Sequence, residues 1–290
     1  MFGLRADGKR VKRIDPIQKI IPHVMKHRYD AQNMTHYDCP CEPFDDFIKA
    51  EREKGTNFKY MDIMVAGLAR IIAIYPRLNR FVVNGRIFER NGIFISFVVK
   101  KGLNATASDS LVKLEFDGRE SIYEVKEKID KAVLDNATMK ANNGTDKAAR
   151  LLTITPNFMI KILMGSIKLM DKHGLLPKAI INLSPLHTSC FITNLKSIKG
   201  PSIYHHIYDF GTAGLFVSMG KESLTPVVHK GQIEVSKVMS VDIVLDERFC
   251  DGFYFVKALD DLKKMYNDPS SLTRRLEDLP TDVDVIHPGA

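Results

Sequence analysis

The chain has 290 residues, 44% hydrophobic and 27% charged, the composition of a folded globular protein with apolar mass enough for a full core. Its net charge of +7 is uneven: residues 1–30 hold eight Lys or Arg against three Asp or Glu, so the remaining 260 carry only +2. A nucleic-acid binder spreads basic charge over a folded face, and a basic arm on a nearly neutral body argues against nucleic acid as a partner. Four cysteines make no disulfide framework. Arg5, Lys9 and Arg10 interrupt any apolar leader after Met1. No run of about 18 apolar residues is present to span a bilayer, residues 61–75 being broken by Asp62 and Arg70. A cytoplasmic location without a membrane partner is the expectation.

No repeat and no long Gly/Ser/Pro linker divides the chain. The expected organisation is a basic arm and first helix over 1–30, a single domain over 31–266 and a loose tail over 267–290. Residues 15–27 read as a short helix with Ile17, Ile20, Ile21 and Val24 on one side. A strand follows over 34–41 and a helix over 44–54, then a strongly apolar helix over 62–75 that stops at Pro76. Asn84-Gly85, between apolar runs at 81–83 and 87–90, signals a hairpin. A further strand is predicted over 93–99 and an amphipathic helix over 121–134. Residues 157–173 read as a helix opened by Pro156 and closed by Gly174. It is apolar nearly all round, with Lys161, Lys168 and Lys172 on one stripe. That is the pattern of a helix buried in a core or subunit interface, with a membrane surface as the weaker alternative. Strands over 188–194, 203–208, 213–219 and 235–245 and a final helix over 252–266 complete an α/β chain with a mixed sheet.

Few motifs carry chemistry. Cys39 and Cys41 have no second Cys or His pair at ligand spacing, whereas zinc takes four ligands or three plus water; no metal is expected. Neither a G-x-G-x-x-G nor a G-x-x-x-x-G-K-[ST] phosphate loop is present, nor a G-x-S-x-G elbow. What stands out are Cys190-Phe191-Ile192-Thr193-Asn194-Leu195 and Glu247-Arg248-Phe249-Cys250-Asp251-Gly252-Phe253. They resemble the F-T-I-S-N-L-G and H-x-x-x-D-G motifs of the chloramphenicol acetyltransferase-like superfamily. That group includes the catalytic domains of the 2-oxo acid dehydrogenase dihydrolipoyl acyltransferases. Residues 60–79, ending in Pro76-Arg77-Leu78-Asn79, resemble its helix-to-Pro-x-x-Asn segment, and residues 84–99 its hairpin and strand. The resemblance covers about 15–100 and 185–266; residues 140–185 match nothing in it.

The resemblance implies a two-layer fold with a mixed β-sheet flanked by helices and a homotrimer with its site at the subunit interface. The implied activity moves an acyl group between a thioester, acyl-CoA, and a small-molecule thiol, hydroxyl or amine, with CoA as substrate and no tightly bound cofactor. With no lipoyl domain in the sequence, a stand-alone transferase is expected. The catalytic residues it implies are Glu247, Asp251 and Thr193: Thr193 at the oxyanion-stabilising hydroxyl, Asp251 shaping the turn, and Glu247 where the family has its catalytic histidine. Glu is about two pKa units less basic than His, roughly 3 kcal/mol or a hundredfold in rate if fully expressed; burial can recover much of this. A non-catalytic trimeric pseudoenzyme or scaffold of the same fold is therefore the alternative. Asn194, His187, His205, His206 and Arg248 are candidates to line the substrate channel. If residues 203–208 are a strand, at most one of His205 and His206 faces it; the plainer reading of each histidine is a packed or surface residue. Arg248 reads as an ion-pair partner, and Cys190 and Cys250 as small core residues.

Overall fold

A mixed six-stranded sheet organises the chain. A computed structural model describes residues 4–100, 109–138 and 155–282. Across the sheet the order is β2 (Gln32–Pro40), β9 (Gln232–Asp246), β8 (Leu215–His229), β7 (Cys190–Asn194), β5 (Ile93–Lys100) and β6 (Asp109–Phe116). β7 runs parallel to both β5 and β8, and the other pairs are antiparallel. A smaller antiparallel sheet joins β1 (Gly8–Arg10), β4 (Arg86–Arg90) and β3 (Arg80–Val83). Asn84 and Gly85 link β3 to β4 with φ of 50° and 68°, the positive pair a two-residue hairpin turn requires.

The helices are α1 (Pro16–Val24), α2 (Glu42–Glu53), α3 (Tyr60–Ile74), α4 (Ile122–Thr138), α5 (Asn157–Lys172), α6 (Lys178–Leu183) and α7 (Gly252–Asn267). Strand alternation sends Cys190, Ile192, Val217, Val241 and Ile243 to one face, where they form the main core with α3 and α7. The intervening Phe191, Phe216 and Val244 point the other way and form a second cluster with Ile207 and Ala213. Apolar apart from Asp62 and Arg70, α3 is almost wholly buried. Gly67 lets α7 approach it: a Cβ there would collide with the Tyr266 ring, whose hydroxyl donates to the Met64 carbonyl at 3.0 Å.

Several expectations are corrected. α5 forms where predicted, but in this chain it is not a core helix: Phe158, Ile162 and Leu169 are exposed and Asp171 is its buried residue. α1 likewise turns Ile17, Ile20 and Val24 outward. Residues 203–208 form no strand, and two of their N–H groups go to side chains rather than to a ladder. Ile203 donates to Ser218 Oγ at 3.1 Å and Ile207 to Gln32 Oε1 at 2.8 Å. The end of the chain is not loose through residue 282: Arg80, 1% exposed, donates to the Asp282 carboxylate at 2.6 and 2.5 Å, and Arg70 donates to the Ser271 and Arg274 carbonyls. Residues 283–290 of that tail lie outside the described residues. Part of the basic arm is likewise fixed, as β1 on the edge of the small sheet.

Candidate functional site

β9 delivers its last residues into a short turn before α7, and three sequence-predicted residues sit there. Glu247 is half-buried; its N–H donates to the Ala31 carbonyl at 2.9 Å, and its Oε2 accepts from Asn33 Nδ2 at 2.7 Å. Arg248 is buried and grips Asp246 with two hydrogen bonds, Nε to Oδ1 at 2.8 Å and Nη2 to Oδ2 at 2.7 Å. Asp251 caps α7, accepting from the Tyr254 N–H at 2.9 Å, with Arg77 at 3.9 Å. An aspartate at this position supplies the acceptor that the first helical turn lacks. The turn therefore holds one carboxylate, Glu247, whose partner among the described residues is a neutral amide rather than an arginine.

Thr193 lies elsewhere on the sheet. Hydrogen-bonding register aligns it with Ser218 of β8, Asp242 of β9 and His36 of β2. Aligned residues point to the same face, so a row of four polar side chains crosses the sheet on the side away from the main core. Glu247 is five residues beyond Asp242, about 17 Å along the strand, and two strands from Thr193, about 10 Å across. The separation within one chain is roughly 19 Å, too far for a hydroxyl and a carboxylate to act on the same carbonyl.

The histidines divide. His187 is 1% exposed, with Nδ1 on Ser184 Oγ at 2.8 Å, Nε2 3.3 Å from Asp171 and its ring edge-on to Phe210. It is a packed core histidine. His205 stacks on Phe216 at 3.9 Å, and burial pushes its imidazole below the ordinary value. His206 stacks on His205 at 4.6 Å, so the two rings share a side instead of pointing apart. The expectation of opposite faces fails because the segment is no strand. Since Ser218 beside Thr193 takes the Ile203 N–H, the His205 segment lies over the same face as Thr193. Asn194 ends β7 and caps the following helical turn, accepting from the Ser197 N–H at 3.2 Å.

His36 carries no local sequence signal, and sequence reasoning missed it. Its Nδ1 is 2.6 Å from Asp242 and its Nε2 3.1 Å from Asp38. The hydrogen bond to Asp242, seconded by Asp38, holds its pKa above the ordinary 6.5. Cys39, Cys41, Cys190 and Cys250 are all buried free thiols, and burial pushes those of Cys39 and Cys250 up to about 12. Among the described residues no His, Cys, Asp and Glu groups cluster in a way that could hold a metal ion, and no helix is long and apolar enough to cross a membrane.

Residues 190–274, which span both Thr193 and the Glu247 turn, match the family model of the 2-oxoacid dehydrogenases acyltransferase (catalytic domain). No curated protein matches the chain. The probable dihydrolipoamide acetyltransferase of Listeria monocytogenes 4b F2365 is 14% identical, with a TM-score of 0.56 over 89% of this chain and 93% of its own. The Azotobacter vinelandii dihydrolipoamide acetyltransferase is 11% identical, with a TM-score of 0.57 over 83% of each chain. In that protein a serine, a histidine and an asparagine have been investigated for their role in the catalytic mechanism, the last two four positions apart. A chloramphenicol acetyltransferase is 10% identical, with a TM-score of 0.52 over 88% of this chain and 99% of its own. At such identities the likeness is one of fold.

Proposed function

We propose that this chain, which has the chloramphenicol acetyltransferase-like fold, moves an acyl group between acyl-CoA and a small-molecule thiol, hydroxyl or amine. The observation that carries the reading is the match over 190–274, which takes in both Thr193 and the turn presenting Glu247. Glu247 and Asp251 are four positions apart, as are the histidine and asparagine of the Azotobacter protein. In this reading Glu247 accepts the proton of the acceptor group as that group attacks the thioester carbonyl. The Thr193 hydroxyl donates a hydrogen bond to the resulting oxyanion, and collapse of the adduct expels the CoA sulfur, which takes the proton back. Asp251 and Arg248 fix the turn: one caps α7, the other ties the end of β9 to α1's exit through the Lys26 carbonyl at 3.1 Å.

Because Thr193 and Glu247 are separated within one chain, the site assembles between chains, and the active form is a homotrimer. The second reading, a pseudoenzyme of the same fold, draws on the Glu247–Asn33 hydrogen bond, which occupies one carboxylate oxygen. Assays with a panel of acyl-CoAs separate the two. Glu247→Gln keeps the volume and removes the proton acceptor, so turnover should fall about a hundredfold or more. If instead the parent is inert and Glu247→His creates thioester transfer, the chain is a dormant relative, since the imidazole restores a base of pKa about 6.5. Equal turnover in Glu247→Gln and the parent removes Glu247 from the reaction.

A further inference from the structure

α1, the β3–β4 turn, α5 and the loop at 209–211 enclose a cavity of about 500 Å³, a size that accommodates a small-molecule ligand. Five cationic side chains line it, Lys26, Arg28, Lys168, Lys172 and Arg248, against two carboxylates. Both carboxylates are already engaged. Asp171 is 2.7 Å from Arg5 and 3.3 Å from His187, and Asp209 is 3.2 Å from both His27 and the Arg28 N–H. The two arginines are 3% and 4% exposed and share one buried carboxylate, Asp246, at 3.5 Å from Arg28 and 2.7 Å from Arg248. Their other donors rest on main-chain carbonyls, which carry no formal charge, and Arg28 Nε makes no hydrogen bond. Lys26, Lys168 and Lys172 reach no carboxylate among the described residues. The surplus positive charge therefore sits on the three exposed lysines at the rim, above two buried arginines that share one carboxylate, an arrangement that a bound anion completes.

We infer that this cavity binds a phosphate-bearing small molecule, its guanidinium wall and lysine rim matching the geometry and charge of phosphate oxygens. The cavity adjoins the Glu247 turn only through Arg248 and lies apart from the Thr193 row. The inference does not depend on acyl transfer: its readout is binding. The phosphates can belong to CoA or to a separate phosphorylated metabolite, and the test distinguishes these sources.

Isothermal titration calorimetry of the full chain with inorganic pyrophosphate should show saturable binding with a Kd below about 1 mM, weakened by added salt. Lys168 and Lys172 are exposed on α5, so Lys168→Ala/Lys172→Ala leaves the core intact. It should weaken binding about tenfold or more, and Lys26→Ala should act in the same direction from the opposite wall. Lys161→Ala/Lys178→Ala, outside the cavity, should leave binding unchanged. If CoA displaces pyrophosphate and binds more tightly than phosphate-free pantetheine, the ligand is CoA; pyrophosphate binding that CoA does not disturb assigns the cavity to a separate phosphorylated molecule. No heat with either pyrophosphate or CoA overturns the inference, as does equal weakening by the two double variants, which would mark diffuse charge attraction.

Discussion

Thr193 is the residue on which the oxyanion argument rests. Its β7 position pairs it with Ser218 of β8 in the parallel register, and valine nearly matches its shape. Thr193→Val should therefore keep the fold and slow turnover by roughly 10²–10³-fold, the usual cost of one oxyanion donor; unchanged steady-state kinetics would remove Thr193 from the site. His36, in the same row, makes a separate prediction about stability. Its folded pKa is raised, first by the hydrogen bond to Asp242. The contribution is thus fully present below the ordinary 6.5 and is lost as pH rises through the folded value. The difference in Tm between the parent and His36→Gln should be largest in mildly acid buffer and shrink toward alkaline pH; a difference independent of pH would show that His36 acts by packing alone. The two residues also mark what a sequence displays. Thr193 and Glu247 are legible because each sits in a contiguous motif whose strand or turn context the structure reproduces. The His36–Asp242 pair is not, because its partners are 206 positions apart and meet only through the β2–β9 register.

Among the elements, those whose signals are local are the ones the sequence declares. The apolar run of α3, the Asn84-Gly85 turn and the start of α7 at Gly252 each depend on residues within a few positions, and each forms where expected. Failures occur where long-range pairing decides. Residues 203–208 have strand-forming side chains, yet their backbone is claimed by Ser218 and Gln32 side chains. β6, not anticipated, exists because β5 offers an edge beside which Asp109–Phe116 can lie. α5 has a core-like composition and an exposed position, since composition states only that a face is to be covered and not by which chain. The α3–α7 contact gives this scale its prediction. A Cβ at Gly67 meets the Tyr266 ring and the Leu262 side chain, so Gly67→Ala must push two helices apart. Denaturant unfolding should show a loss of about 1–3 kcal/mol. In a Tyr266→Leu background, where the ring is gone, the same substitution should cost less; an equal loss in both backgrounds would place the strain elsewhere.

For the whole molecule, the proposed reading calls for assembly, and exposed apolar surfaces offer places for it. From Leu224 the β8–β9 hairpin extends as a two-stranded arm ending at Lys230-Gly231, and its Leu224, Val228, Ile233 and Val235 are exposed. A two-stranded ribbon with apolar side chains in water is marginal alone and gains by covering a neighbouring copy. The exposed apolar residues of α5 have the same requirement. Closed symmetry turns such a heterologous contact into a ring, and three chains of 32.8 kDa give a particle of about 98 kDa by light scattering; a monodisperse monomer would contradict it. Composite sites make the stronger test, because they predict rescue where a single-chain site predicts none. In the proposed reading, chains carrying Glu247→Gln and chains carrying Thr193→Val each turn over about a hundredfold or more slowly on their own. Unfolded together in equal amounts and refolded, they form mixed rings in which a complete site needs the intact Glu247 of one chain beside the intact Thr193 of its neighbour. Random mixing supplies that combination at about one site in four, so activity should return to about a quarter of the parent's. If the two residues acted within one chain, every site would lack one of them and mixing would restore nothing.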